Sequence, residues 1–203
     1  MSNTTAYVTA GKPAVGGALF RAPKGTTLPT DADTELGSDF TSLGYCSEDG
    51  LKNTNSGEST DIKAWGGDPV LNIMNGKSDT FNVTLIEALN PDVLATVYGE
   101  ANVSGTLSEG IEVDVTTDDY TEYVYVCDMI MRDGALKRIV IPDGKITAVG
   151  EITYADSSAV GYALTIAAFM VEIDDKRITH KEFIYKEEEE ETTTTVTTGT
   201  GTT

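Results

Sequence analysis

Residues 78–99 read SDTFNVTLIEALNPDVLATVYG, and a change of period inside them decides the fold. Phe81, Val83 and Leu85 alternate with Thr80, Asn82 and Thr84, the period of two expected of a half-buried strand. The period then lengthens. Asn90 suits an N-cap, and Pro91 suits the first helical position, where its missing N–H is not needed. Val93, Leu94, Val97 and Tyr98 fall three to four apart and form one apolar face. Gly99 is the natural stop. A helix this short is marginal alone in water, so the sheet to which its strand belongs is expected to hold it.

Outward from this landmark the chain reads as β-strand. Upstream, Ala18–Arg21 and Leu43–Cys46 are short strand candidates. Glu58–Trp65 alternates Thr60, Ile62 and Ala64 with Asp61, Lys63 and Trp65. Gly66–Pro69 is a turn, Val70–Met74 an apolar strand, and Asn75-Gly76 a hairpin turn into the opening strand. Downstream, Ile111–Thr116 alternates. Tyr123–Met131 is apolar on both faces except at Asp128, as a central strand should be. Asp133-Gly134 and Pro142-Asp143-Gly144 read as turns flanking Ala135–Ile141 and leading into Lys145–Tyr154. Ala159–Val171 has one small face (Gly161, Ala163, Thr165, Ala167) and one large face, and Lys176–Tyr185 is a last strand.

Three polar stretches punctuate this pattern. Residues 1–17 are small and glycine-rich and read as a flexible arm. Residues 22–42 and 47–57 read as long solvated loops. Residues 186–203 hold a run of five glutamates and a Thr/Gly tract, which cannot bury a core and read as a disordered tail. The expected domain is therefore 18–185.

The chain has 203 residues, with 14 basic against 33 acidic side chains and a net charge of −19. A surface that grips nucleic acid needs clustered Lys and Arg, so that class is excluded. Cys46 and Cys127 are far apart, with no CxxC, and read as two thiols. No charged-then-apolar leader opens the chain, and no apolar run approaches a membrane span, so no membrane partner is expected. The sequons at Asn3, Asn82 and Asn102 then carry no meaning.

Catalytic signatures fail one by one. Asp31, Asp33 and Glu35 begin like a calcium loop, but Leu36 stands where its turn needs glycine. Gly76-Lys77-Ser78 ends like a phosphate loop, but Leu71 stands at the required glycine. His180 is the single histidine and reads as an ordinary structural residue. No nucleophile elbow, zinc motif or dinucleotide fingerprint occurs. No enzyme activity, cofactor or metal is expected.

The order of segments nonetheless resembles a known family. LGYCSEDGL at 43–51, ESTDIKAWGGDPV at 58–70 and TFNVTLIEALNPDVLATVYG at 80–99 are similar to tail tube (major tail) proteins of long-tailed bacteriophages. RIVIPDGKITAVGEITY at 138–154 and AVGYALTIAAF at 159–169 extend the resemblance over residues 18–185. It implies a mainly β protein, a β-sandwich with one short flanking helix, assembled as six-membered rings stacked into a hollow tube. It also implies location in the virion tail after assembly in the host cytoplasm. The implied partners are further copies of the chain, the tail initiation, tape-measure and terminator proteins, and phage DNA sliding through without specific binding. Acids on the polar side of a strand, or interrupting an apolar one, are then candidates to face that DNA: Asp61, Asp128 and Glu151. The competing reading is a secreted or virion-surface β-sandwich module that binds carbohydrate or a receptor. A tube from a contractile or bacteriocin-like tail stays open.

Overall fold

A computed structural model describes residues 5–14 and 17–187. The tail expected over 186–203 thus lies almost wholly outside the described residues. The described chain is mainly β, with one α-helix. In chain order the strands are β1 (Gly11–Pro13), β2 (Leu19–Pro23), β3 (Thr41–Ser42), β4 (Lys52–Lys63) and β5 (Pro69–Leu85). Helix α1 (Pro91–Tyr98) follows, then β6 (Val103–Thr106), β7 (Gly110–Val113), β8 (Glu122–Met131) and β9 (Leu136–Val149). β10 (Tyr162–Ala168), β11 (Val171–Ile173), β12 (Lys176–Ile178) and β13 (Lys181–Tyr185) complete the set.

One nine-stranded sheet runs β3-β2-β8-β9-β10-β5-β4, with β1 also on β8 and β13 also on β9. β6–β7 and β11–β12 are separate two-stranded ribbons. Residues 41–47 tie the β2 side to β5. Leu43 N–H donates to Leu19 O at 2.8 Å, Ser47 N–H to Thr84 O at 2.8 Å, and Ile86 N–H to Tyr45 O at 3.0 Å. Where the resemblance implied a β-sandwich, the described strands form one nine-stranded sheet with two small ribbons. The core takes Phe81, Val83 and Leu85 from β5, Leu164 and Ile166 from β10, Ile139, Ile141 and Ile146 from β9, and Tyr125 from β8. Each such aliphatic side chain contributes on the order of 1.5–3 kcal/mol by leaving water. α1 adds Val93, Leu94 and Val97.

The helix begins as expected. Asn90 accepts the Asp92 N–H at 3.0 Å, and Pro91 opens the first turn. Asn90 also donates to Glu87, whose other carboxylate oxygen accepts the Tyr45 N–H at 2.9 Å, so the cap is joined to the closing segment. Gly99 ends the helix with φ +98° and ψ 142°, a positive φ outside the left-handed helical region. Tyr98 is only half-buried. Its ring meets Tyr162 edge-on at 6.0 Å, while Thr96 takes the buried position and bonds back to Asp92 O.

Two expected turns are bulges inside continuous strands. Asn75-Gly76 does not turn the chain: β4 and β5 pair through it, with Glu58 opposite Gly76, Ser59 opposite Met74 and Asn75 as the extra residue. Pro142-Asp143-Gly144 likewise lies within β9. Tyr123 faces Gly144 and Tyr125 faces Ile141, so Pro142 and Asp143 together oppose one residue. A bulge tolerates proline because that N–H is not needed in the ladder. Gly144 is required by packing, since a Cβ there would sit 2.7 Å from the Tyr125 ring.

Other boundaries also move. β4 begins six residues before the expected strand and absorbs half of the loop read at 47–57. Leu43–Cys46 is not a strand, although Cys46 bridges Leu85. Residues 150–161 are irregular rather than the end of a strand, and the expected last strand divides into β12 and β13. Within the segment read as an arm, Gly11–Pro13 pairs with Met129–Met131. The 22–42 loop is not merely solvated. Leu28, Leu36 and Phe40 cover a second apolar layer, Ala22, Val124, Val126 and Val140, on the outer face of the sheet.

Candidate assembly surface

Beyond Asp79 every residue of the β4–β5 hairpin is exposed on both faces, from Lys52–Lys63 and from Pro69 to Ser78. Lys52–Asn55 still pair with Asp79–Asn82 at the edge of the core, so the projecting part of β4 is Ser56–Lys63, which at about 3.3 Å per residue spans about 26 Å. Pairing of Ile62 with Leu71 and of Thr60 with Ile73 places three aliphatic side chains on one face. The opposite face carries Met74 beside Ser59 and is otherwise polar there: Asn72 donates to Asp61 at 2.7 Å and to Ser59 at 3.1 Å. At the tip, Ala64 N–H donates to Asp68 O at 2.8 Å, and Trp65 stands wholly in solvent. A run of exposed Ile, Leu, Met and Trp on a projecting element marks a contact surface.

The root of the hairpin is clasped by one carboxylate. Asp79 is 3% exposed. It accepts from Asn53 of β4 at 2.7 Å and from Thr179 at 2.6 Å, and lies 2.6 Å from His180 Nδ1. Burial pushes its pKa up, but the Thr179, Asn53 and His180 contacts outweigh this and hold it below the usual carboxylate value. The His180 ring also meets Phe81 edge-on at 5.2 Å, a structural role. The clasp joins the hairpin to the segment leading into β13.

The three acids expected to face DNA fall in three different settings. Asp61 is on the exposed hairpin. Glu151 is exposed but sits on the irregular 150–161 segment, not on a strand. Asp128 is bound in a two-pronged pair by Arg138, at 2.7 and 2.8 Å. Arg138 Nη1 also donates to Asp31 O and Thr34 O, fastening the acidic loop to the sheet. Asp128 therefore does structural work that its position as the one polar break in an apolar strand does not reveal. Arg138 was the missed partner, and its place directly opposite Asp128 follows only from the β8–β9 register.

Hollows open on the body, and two of them bear on the chemistry. One, of about 520 Å³, lies between the C-terminal end of α1 and residues 115–121, with Tyr98, Val115, Tyr120 and Ile152 in its walls and Asp118 at its rim. The other, of about 470 Å³, is lined in part by Leu19, Cys46, Cys127 and Met129. Cys46 and Cys127 are unbridged. Burial pushes the Cys46 thiol up to about 11 and the Cys127 thiol up to about 12, which removes the thiolate a nucleophile needs. Among the described residues no group of three or more His, Cys, Asp and Glu is placed to hold a metal, and no helix is long and apolar enough to cross a membrane.

An exposed apolar hairpin projecting from a β body agrees with the comparison of the sequence to known families: residues 1–194 match the family described as phage tail tube protein. The chain belongs to that family. It is a structural protein of the phage tail, of a family that self-assembles into a tube alongside other tail proteins. No curated protein matches the chain. Within this tail tube protein, Trp65 and the aliphatic face of the hairpin are exposed apolar residues that sequence reasoning did not single out. Their signal was present as apolar residues at 62, 65 and 70–74 flanked by polar runs, but the strand pairing that exposes them is not written locally.

Proposed function

We propose that the protein polymerises as hexameric rings stacked into a hollow tail tube through which phage DNA is ejected. The projecting hairpin carries this reading. It has no core of its own, exposes an aliphatic face, and would bury that face only on a neighbour. Closed rings give each subunit the same lateral contact, and head-to-tail stacking extends the tube without closing it. The folded body, 18–185, would form the wall, and the N-terminal arm and the long loops would mediate contacts between rings. Tail initiation and terminator proteins would set the two ends, and a tape-measure protein the length.

The net charge of −19 supports passage of DNA without capture, because an acidic lining offers phosphates no cations. Asp61 and Glu151 carry solvated charge suited to that lining. Asp128 serves it poorly, since Arg138 neutralises it. Negative-stain images of the concentrated protein, or of the protein added to tail initiation complexes, are expected to show tubes with six-fold end views. A chain that stays monomeric at every concentration and never extends an initiation complex would overturn the proposal.

A further inference from the structure

We propose that Trp65 at the hairpin tip of one copy seats in the groove beside α1 of a neighbouring copy. This rests on the tube reading above and names its anchor and its receptor. Trp65 is the single tryptophan of the chain and is 105% exposed, the full accessibility of the side chain. A tryptophan placed wholly in water on a tip is unfavourable unless the tip is later covered. An indole buries about 150–250 Å² and is among the commonest interface anchors.

The groove has the complementary character. Tyr98, Tyr120, Val115 and Ile152 give it aromatic and aliphatic walls, and its volume of about 520 Å³ admits an indole. It is preformed, because the edge-on contact with Tyr162 fixes the Tyr98 ring. Charge complements shape. Lys63, two residues before the tryptophan, and Asp118, at the groove rim, both lack a side-chain partner among the described residues. Glu100 stands at the same rim, turned toward Arg21. Seating the tip would bring the lysine to a rim that already carries acid. The projection of about 26 Å beyond the core lets the tip cross onto an adjacent subunit. A second copy is the occupant because every tip in a homopolymer meets one identical groove, a heterologous contact that propagates.

The single tryptophan makes the contact directly readable in the full chain. Fluorescence of free subunits should report an indole in water that acrylamide quenches freely. In tubes the emission should shift to the blue and the quenching should fall several-fold. Val115→Glu alters an exposed position on the groove wall and leaves the core untouched; its tubes should lose that protection. Lys63→Glu should raise the concentration needed for assembly about tenfold, and Asp118→Lys in the same chain should restore it. Tubes in which Trp65 is quenched as in free subunits would overturn the inference and leave the tube reading standing. So would protection unchanged by Val115→Glu, which would place the indole in another site or on another protein. Absence of any tube from the wild-type chain would instead sink the tube reading, and this inference with it.

Discussion

Asp128 and Arg138 face each other across β8 and β9 as a registered pair, with Nε to Oδ1 at 2.7 Å and Nη2 to Oδ2 at 2.8 Å. The arginine side chain is 5% exposed. Arg138→Ala would leave a half-buried carboxylate alone and release the carbonyls of Asp31 and Thr34. The expected loss is about 3–5 kcal/mol in urea unfolding, together with faster proteolysis within residues 26–40. Asp128→Lys should be at least as damaging, because it sets two cations face to face. A loss below about 1 kcal/mol for Arg138→Ala would put the pair in the class of surface ion pairs.

The Asp79 clasp predicts a specific response to acid. Its folded pKa lies below the ordinary carboxylate value, so the unfolded chain binds the proton more readily. The stabilisation is fully present above about pH 4 and is lost as the pH falls through the folded pKa beneath that value. Asp79→Asn should therefore be less stable than the wild type at pH 7, with the gap narrowing as the pH drops below about 4. Paired urea titrations at neutral and acid pH measure it. A gap independent of pH would show that the carboxylate charge is not what holds the hairpin root.

Charge reversal separates the lining from the scaffold. Asp61→Lys and Glu151→Lys change exposed side chains and should leave unfolding midpoints and tube formation near wild type. Each adds one cation per subunit along the whole tube, so DNA ejection at low salt should slow and recover as salt rises. Ejection rates unchanged at low salt for both variants would remove these two positions from the lining.

At the helix, Asn90→Ala removes the side chain that accepts the Asp92 N–H and donates to Glu87. The expected cost is about 1 kcal/mol, read by thermal unfolding. Asn90→Asp should recover the cap but not the donated bond, and so should fall between the two.

Local chemistry made the landmark legible. The alternation of Phe81, Val83 and Leu85 and the Asn90-Pro91 start depend only on neighbours in sequence, and both hold in the structure. The misreadings share a different cause. Asn75-Gly76 and Pro142-Asp143-Gly144 carry turn chemistry, but long-range pairing overrode it, and a bulge accommodates the same residues. Lys52–Gly57 shows no apolar alternation because neither face of that strand is buried, so periodicity had nothing to report. Asp128 and Glu151 were chosen by strand position alone. The partner of the one and the irregular backbone of the other are set by residues distant in the chain.

The exposed length of the β4–β5 hairpin has a consequence for how such a protein diverges. Because Ser56–Lys63 lies outside the core, substitutions on its aliphatic face are close to neutral for folding and are felt when subunits meet. The body and the hairpin can then drift at different rates. Fit between neighbours can be retuned, or an unrelated tube refused, without a thermodynamic penalty on the monomer.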